Sequence, residues 1–379
     1  MLLTKGFEIE LYTGTTDGDI VGLADRIVAD LNGFIREPDR RNVEYTTPPR
    51  LSYDRLLCDL LKPRQQLRQY LQRLNPDYTL LPGSTLSLGD SRVFERSDPA
   101  NPYHSYIEQT YGTRVVTASV HINVGIEDPE ALMRACRLVR LEAPLYLALS
   151  AASPFLDGEP TGQHSSRWAV FPKTPSEVPL FESHAHFCRW TEAQLRLGTM
   201  QNVRHLWSSV RPNGDNRPYS LNRLELRICD LIDDPLELLA ITALLEARLW
   251  QVLTRPELDP LTISHLEPEE MLALTEANET AAARSSLEAT LHHWQDGRPI
   301  LAADWVRELL DSVREDARAR GFGCYLAPIG RILRDGNRAQ RWLRGFEAGV
   351  EPRVLIQQAI ADMHRQELEL ADKLCAVAV

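Results

Sequence analysis

The sequence predicts an α+β protein in which one antiparallel sheet is covered by helices on its apolar face. Three observations support this class. The chain has 379 residues, 43% of them apolar and 25% charged, as in ordinary globular proteins. Short alternating apolar and polar runs occur in residues 1–232, and from Pro235 onward apolar residues recur at helical spacing. We therefore expect a single domain, residues 1–379, in which a sheet-forming part (1–232) carries a mainly helical part (233–379).

Four runs alternate strictly between apolar and polar residues, which is typical of strands with one buried face. These runs are residues 6–11, 42–46, 118–124 and 222–228. Because they lie far apart in the chain, we expect one sheet assembled from distant segments, with helices against its apolar side.

Helical periodicity is strongest in the C-terminal part. Asp-Pro and Glu-Pro pairs are typical helix starts there, and glycines are typical breaks. A stretch rich in Pro and Gly, residues 154–179, is predicted as a long loop, and loops of that length are often functional. The predicted helices are residues 20–31, 53–74, 129–151, 236–253, 267–294, 303–320, 327–346 and 353–374.

Composition excludes several classes of partner. The chain has 42 Lys and Arg against 53 Asp and Glu, a formal net charge of −11, so we expect no nucleic-acid partner. No run reaches the ~18 apolar residues that a membrane span needs, so we expect no membrane partner. The chain starts without the apolar segment of a signal peptide, and its six scattered cysteines form no CxxC pair. These features predict reduced thiols in a cytoplasmic protein.

The sequence also lacks common motifs for nucleotide binding and hydrolysis. It has neither the GxxxxGK[ST] of P-loop enzymes nor a GxGxxG after a strand, and neither GxSxG nor HExxH occurs. On this acidic chain, binding of a phosphate-bearing substrate would need a local source of positive charge, and a bound cation is the usual source.

The polar face of the predicted sheet is acidic. Residues two apart on a strand lie roughly 6.6–6.8 Å apart on the same face, so neighbouring strands would gather four glutamates and a histidine in one patch. Such charges repel unless cations lie among them, and carboxylate oxygens are ligands for Mg²⁺ or Mn²⁺. Alternatively, the strands are unrelated and the glutamates are solvated. The outward pairs are Glu8/Glu10, Glu44/Thr46, His121/Asn123 and Glu225/Arg227.

Three side chains could extend this patch toward an anionic ligand. Arg227 lies among the acids and could clamp a phosphate or carboxylate, or it could form a structural salt bridge. Glu37 precedes the second alternating run and is either a further ligand or a solvated loop acid. Arg167, in the predicted long loop, could bind a substrate carboxylate or could be an ordinary surface arginine.

Together these motifs resemble those of the glutamate–cysteine ligases, in the cyanobacterial and plant-like branch of the carboxylate–amine ligase superfamily. They occur in the expected order over about residues 1–345. The resemblance implies a glutamine-synthetase-like fold, in which a curved antiparallel sheet forms a funnel flanked by helices. The matching segments are Gly6-Phe7-Glu8-Ile9-Glu10, Glu37-Pro38, Asn42-Val43-Glu44-Tyr45-Thr46-Thr47, Ser119-Val120-His121-Ile122-Asn123-Val124, Ser153-Pro154-Phe155 and Leu224-Glu225-Leu226-Arg227-Ile228-Cys229-Asp230.

The resemblance also implies an enzymatic reaction and residue roles. ATP would activate the γ-carboxylate of L-glutamate as a γ-glutamyl phosphate, and the amine of L-cysteine would displace phosphate. The products would be γ-glutamylcysteine, ADP and phosphate, in the first step of glutathione biosynthesis. Glu225 and Arg227 would be catalytic, Arg167 would bind a substrate carboxylate, and the nucleotide would contact His121, Asn123 and Arg227. The implied ligands of Mg²⁺ or Mn²⁺ are Glu8, Glu10, Glu37, Glu44 and Glu225.

Two alternatives stay open at this point. The same scaffold could join a carboxylate to a different amine, because the loops that would select cysteine cannot be identified from the sequence. A non-catalytic relative could bind metal and nucleotide as a sensor, although every recognised acidic position is filled here. The sequence does not indicate an oligomeric state.

Overall fold

An antiparallel sheet forms the centre of the fold. The computed structural model describes residues 2–113 and 116–375, without the side chains of Leu374 and Cys375. The strands are β1 (Lys5–Thr15), β2 (Phe34–Arg36), β3 (Asn42–Thr46), β4 (Tyr78–Leu81), β5 (Val120–Gly125), β6 (Phe155–Leu156), β7 (Glu159–Pro160), β8 (Val210–Asn213), β9 (Arg223–Leu226), β10 (Thr290–His292) and β11 (Pro299–Leu301). In the described part of the chain, seven strands form the central sheet in the order β2-β3-β1-β5-β9-β8, and β4 also pairs with β1.

Helices make up most of the remaining structure. Several begin with an Asp cap followed by proline, as Asp128 and Asp234 show, because the carboxylate accepts hydrogen bonds from backbone N–H groups of the first turn. Among the described residues, no helix combines the length and the apolar character needed to cross a lipid bilayer. The helices are α1 (Ala24–Asp30), α2 (Tyr53–Leu74), α3 (Pro102–Tyr111), α4 (Pro129–Ser150), α5 (Ser166–Val170), α6 (His184–Leu197), α7 (Pro235–Thr254), α8 (Pro260–Ile263), α9 (Pro268–Ser285), α10 (Ala302–Ala319), α11 (Ala327–Asp335), α12 (Arg338–Glu347) and α13 (Pro352–Leu370).

The four alternating runs contribute β1, β3, β5 and β9, four strands of the central sheet, as predicted. On β1, Phe7, Ile9 and Leu11 are buried on the apolar side, whereas Glu8 and Glu10 point to the other side. This side of the sheet shares one hydrophobic core with α2, α4 and α7. The predicted α+β class, with an antiparallel sheet and a helical C-terminal part, is therefore confirmed.

The same core joins the two parts of the chain. Its buried residues extend from Phe7 in the first strand to Met363 in α13. Arg68 of α2 also donates a hydrogen bond of 2.9 Å to Glu367 of α13. The division of the chain into domains stays a prediction.

Some predicted helix boundaries are wrong. The helix predicted over 267–294 ends at Ser285, because Ser286 adopts a positive φ of 44° that helical backbone does not allow. The chain then forms the β10–β11 hairpin, so that His292 lies on a strand. The helix predicted over 327–346 is divided into α11 and α12 at Gly336, which has a φ of 83°.

Residues 154–179, predicted as one long loop, contain short regular elements. β6 and β7 pair in a small hairpin, and α5 carries Arg167. The side-chain oxygen of Ser165 accepts a hydrogen bond from the backbone N–H of Trp168 at the start of α5. A helix of five residues is too short to leave a periodic signal in the sequence, which explains why it was missed.

The cysteines only partly follow the expectation of reduced thiols. Cys58 is disulfide-bonded, so the expectation is wrong at this position. Disulfide pairing depends on spatial proximity, which widely scattered cysteines do not reveal in a sequence. The side chain of Cys375 lies outside the described residues. The free thiols are Cys136, Cys188, Cys229 and Cys324.

A buried ion pair fixes the start of β1 against α7. The Lys5 ammonium lies 2.7 Å from a carboxylate oxygen of Glu246, and both side chains are 0% exposed. The same Glu246 oxygen accepts a hydrogen bond of 2.6 Å from the Tyr53 hydroxyl. Lys5 also donates to the carbonyl oxygens of Leu3 and Leu51, so its three ammonium hydrogens all have acceptors.

We expect Lys5→Met to reduce the free energy of unfolding by about 3–5 kcal/mol, because Glu246 would be left as a buried, uncompensated charge. Denaturant unfolding measures this loss. Lys62→Met, at an exposed position on α2, is the matched control and should change the unfolding free energy by less than about 0.5 kcal/mol. Equal stability of the two variants would contradict the role given to the ion pair.

Candidate active site

The strand register brings the predicted acids onto one face of the sheet. Glu8 lies opposite His121 on β5, and Glu10 lies opposite Glu44 on β3. Glu225 follows on the neighbouring strand β9. Two clusters result, and within each the potential ligand atoms lie within 4.8 Å of one another. The first cluster contains Glu8, His121 and Glu225, and the second contains Glu10, Glu37 and Glu44.

The first cluster is held together by hydrogen bonds. His121 Nδ1 lies 2.9 Å from Glu8 Oε2 and 3.6 Å from Glu225 Oε1. The Asn123 amide donates a 3.2 Å hydrogen bond to the other oxygen of Glu8. The side-chain carbonyl oxygen of Asn123 is buried and has no partner among the residues that the structure describes. Burial raises the pKa of Glu8, but the hydrogen bond and charge of His121 and the charge of Arg227 together outweigh this effect and leave the pKa below its usual value. Glu8 is therefore held as a carboxylate.

Glu225 is fully buried and fully compensated. Arg211 binds both of its oxygens, at 2.8 and 3.0 Å, and Asn213 donates a further hydrogen bond of 2.6 Å. Arg227 Nη1 lies 2.5 Å from the same carboxylate. Burial alone would raise the pKa of Glu225, but Arg211 and Arg227 hold it well below its usual range.

The second cluster has little internal compensation. Among the described residues, only the Ser119 hydroxyl donates to it, at 2.8 Å from Glu10, and no cationic side chain pairs with Glu37 or Glu44. Burial, together with the charges of Glu10 and Glu8, raises the pKa of Glu44 to about 8. Burial and the same neighbouring acids raise the pKa of Glu37 well above its usual value.

The turn that carries Glu37 is fixed by neighbouring contacts. The Ser97 hydroxyl donates a hydrogen bond to the Glu37 carbonyl oxygen, and the Ser97 N–H donates to the carbonyl of Pro38. Two residues on, Asp39 forms a bidentate ion pair with Arg41, at 2.8 and 2.7 Å. The backbone of this turn is therefore held in place, and the Glu37 carboxylate lies with those of Glu10 and Glu44 in the second cluster.

Both clusters fit a divalent cation. Their donors are carboxylate oxygens and one imidazole, which suit Mg²⁺ or Mn²⁺. The second cluster gives the stronger indication, because three half-buried carboxylates repel one another there without a cationic partner from the described residues. A bound cation would remove that repulsion.

The two predicted arginines have different surroundings. Arg227 lies on the polar face, and its Nη1 is also 3.4 Å from His121 Nδ1. Its buried Nε has no partner in residues 2–113 and 116–375. Arg167 is fully buried, and its guanidinium donates to the backbone carbonyls of Arg227 and Ile228 at 3.0 and 3.1 Å. It therefore supports the strand end that presents Arg227, and its role in binding a substrate carboxylate stays a prediction.

Arg211, Asn213 and Ser119 are site residues that were not recognised from the sequence. Arg211 and Asn213 lie on β8, a strand of four residues that contains Pro212. A proline normally argues against a strand, but β8 is at the edge of the sheet, where the missing N–H is tolerated. The sequence signal that could have revealed this strand is Arg211 itself, a basic residue a short distance before the acidic run that forms β9.

Comparisons with known proteins show the family of this chain. The model of glutamate-cysteine ligase family 2 (GCS2) matches residues 4–369. A protein of Sorangium cellulosum, provisionally named glutamate–cysteine ligase 2, is 33% identical over 251 residues, which cover 63% of this chain and 63% of that protein. A protein of Solibacter usitatus with the same provisional name is 30% identical over 288 residues, 74% of this chain and 72% of the relative. The chain thus spans less than two thirds of the Sorangium protein in this alignment.

Two solved structures share the fold at low sequence identity. The glutamate–cysteine ligase of Francisella tularensis in complex with AMP has a TM-score of 0.73 and 13% identity, over 100% of this chain and 94% of that one. A bifunctional glutathione synthetase of Pasteurella multocida has a TM-score of 0.75 and 15% identity, over 98% of this chain and 53% of that one. With the family model matched over nearly its whole length, this chain belongs to glutamate-cysteine ligase family 2.

Proposed function

We propose that the chain is an ATP-dependent ligase that joins the γ-carboxylate of L-glutamate to the amine of L-cysteine. The two acid clusters on one sheet face carry the proposal, because they fit the divalent cations that a phosphoryl-transfer enzyme requires. Family membership and the AMP-bound ligase from Francisella support a nucleotide-using ligase. The product, γ-glutamylcysteine, would serve glutathione biosynthesis.

The reaction would proceed in two balanced steps. A γ-carboxylate oxygen of glutamate attacks the γ-phosphorus of ATP, and the bond to the bridging oxygen breaks to release ADP. The cysteine amine then attacks the acyl carbon of γ-glutamyl phosphate, loses a proton and displaces phosphate. The first step brings the glutamate carboxylate against the ATP phosphates, and the second step takes place on the anionic γ-glutamyl phosphate. Charge compensation and positioning of the reactants would therefore supply most of the rate acceleration.

The residues of the chain would divide this work. Glu8, Glu10, Glu37, Glu44 and Glu225 would hold Mg²⁺ or Mn²⁺, which when bound would reduce the repulsion between glutamate and the nucleotide phosphates. Arg227 presents its guanidinium beside Glu225 and His121, where it can contact the oxygens of the phosphoryl group during transfer. His121 and Asn123 would orient Glu8 next to the nucleotide.

A coupled ADP assay tests the reaction. We expect ADP release to require glutamate, an amine and Mg²⁺ together, and cysteine to give the highest rate in a panel of amino acids and simple amines. A different preferred amine would favour the other ligase that the sequence left open. Tight ATP binding without amine-dependent turnover would instead favour a non-catalytic nucleotide-binding protein.

Glu8→Gln and Glu225→Gln should each reduce turnover by at least about 100-fold, because a neutral amide is a poor ligand for a divalent cation. The same assay measures this loss, and circular dichroism checks that the variants stay folded. Glu127→Gln, at an exposed position after β5, is the matched control and should keep normal turnover. Activity of either site variant within about threefold of the unmodified protein would refute the metal role.

The second cluster predicts that pH and metal affect stability together. The pKa of Glu44 is raised to about 8 by burial and neighbouring acids, so its contribution to stability is complete below its unfolded pKa and is lost as pH rises through 8. In a chelator, the melting temperature should therefore fall between pH 6 and pH 8.5, and Mg²⁺ should restore more stability at pH 8.5 than at pH 6.

Glu44→Gln tests the origin of that effect by thermal unfolding. Without metal at pH 8.5 the variant should melt at a higher temperature than the unmodified protein, and its stabilisation by Mg²⁺ should be smaller. Glu127→Gln should leave both quantities unchanged. If the Mg²⁺-induced shift is the same at both pH values and in both variants, the cation does not bind at the second cluster.

A further inference from the structure

The loop between β8 and β9 carries a cationic side chain without a partner. Arg217 lies in this loop, half-buried, and its Nη1 is shielded from solvent and has no hydrogen-bond acceptor among the described residues. No carboxylate in the described part of the chain lies within 4.0 Å of its guanidinium. An unsatisfied buried donor destabilises the folded protein, and a charged donor does so more strongly. The missing acceptor is therefore expected from a ligand.

The surroundings of Arg217 indicate what kind of ligand this is. Burial and the charge of Arg211 lower the pKa of Arg217 to about 10, and Glu225 acts on it in the opposite direction, so the guanidinium lies near the compensated acid of the first cluster. Arg211 and Arg227 are already bound to Glu225, whereas Arg217 is not. This end of the polar face therefore offers one additional positive charge to an incoming anion.

The position relative to the acid clusters argues for a carboxylate over a nucleotide phosphate. Glu44 lies on β3 and Glu225 on β9, three strand positions apart, which corresponds to roughly 14 Å at ~4.8 Å per strand. Phosphates would lie beside the cations of the clusters. Arg217 lies in the loop that joins β9 to the edge strand β8, at the end of the sheet away from β3 and the second cluster, where the organic end of an amino-acid substrate could extend.

The loop around Arg217 is held in place from both ends. Asn213 donates to Glu225 and also accepts a 2.7 Å hydrogen bond from the N–H of Gly214. A Cβ at Gly214 would lie only 2.1 Å from the Ser220 carbonyl oxygen, so the loop ends are in close contact. On the far side, His184 of α6 donates a 2.8 Å hydrogen bond to the carbonyl of Pro218, the residue after Arg217. Such anchoring reduces the entropy lost when a ligand binds.

We propose that Arg217 binds the α-carboxylate of an amino-acid substrate of this enzyme. The proposal rests on the ligase function proposed above and adds a specificity residue to it. A bidentate contact between guanidinium and carboxylate would satisfy the buried Nη1 and would distinguish amino acids from simple amines or acids. Arg217 would then position the substrate, while the reacting γ-carboxylate or amine points toward the clusters.

Arg217→Gln tests the proposal, with Arg223→Gln as the matched control from the same hairpin. Arg223 is paired with Asp215 and Asn222 at the edge of the loop and should be dispensable. We expect Arg217→Gln to raise the KM of one amino-acid substrate by about 10- to 100-fold, with kcat and the KM of ATP nearly unchanged. An effect on the KM of ATP alone, or no effect on any KM, would overturn the proposal.

Substrate analogues identify the carboxylate. In the unmodified protein, replacing glutamate by 4-aminobutanoate, or cysteine by 2-aminoethanethiol, removes the α-carboxylate and should reduce kcat/KM strongly for the amino acid that Arg217 binds. In Arg217→Gln that penalty should shrink by about tenfold or more, because the partner of the carboxylate is already gone. If both penalties are the same in the variant and in the unmodified protein, Arg217 does not contact either carboxylate.

Stability separates binding from a structural role. Without substrate, Arg217→Gln should melt at the same temperature as the unmodified protein or at a higher one, because an unsatisfied charged donor is removed. A lower melting temperature would favour a structural role for Arg217 and count against the proposal. Absence of ADP release by the unmodified protein would refute the ligase function alone. Calorimetric binding of glutamate and cysteine to the two proteins would then test Arg217 independently, and equal affinities would overturn its role.

Discussion

The crowding of carboxylates on one half-buried sheet face is the constraint on which the site depends. The fold compensates these charges unequally. Glu225 is surrounded by Arg211, Arg227 and Asn213, and its pKa is far below the usual value. Glu37 and Glu44 have no comparable partner among the described residues, and their pKa values are raised. The cluster that lacks internal compensation is therefore the one that most needs an external cation.

The geometry of the central strand sets the spacing between the clusters. β1 supplies Glu8 to one cluster and Glu10 to the other, so the two are separated by one repeat of a strand, roughly 6.6–6.8 Å. The distance between the two clusters therefore depends on β1 being held in a fixed position. The strand is paired on both sides, its apolar residues are buried against α2, α4 and α7, and the Lys5–Glu246 ion pair holds its first residue. The apolar side of the sheet thus determines how precisely the polar side can place charges.

Four arginines near the sheet illustrate how context assigns different roles to one residue type. Arg211 compensates a buried acid, and Arg167 donates to backbone carbonyls behind the strand end. Within the described part of the chain, Arg227 contacts an acid and still has a buried, unpaired Nε, and Arg217 has an unpaired Nη1. Arg167 also has a buried Nε without a partner among the described residues, but its Nη1 and Nη2 already donate to backbone carbonyls. Solved ligases that are 13% and 15% identical to this chain share its fold, so residue-level differences of this kind would be where substrate preference resides.

The sequence by itself determined the class of the fold and most of the acidic site. Strict alternation identifies β1, β3, β5 and β9, because a half-buried sheet must place apolar and polar residues on opposite faces. It also put Glu8, Glu10, Glu44 and Glu225 on the polar side of their own strands, but only the strand pairing brought them to one face of one sheet. The disulfide at Cys58, the end of α9 at Ser285 and the short strand β8 were decided only by the tertiary structure. Those features depend on contacts between residues distant in the chain, and so does the pairing of Arg211 with Glu225.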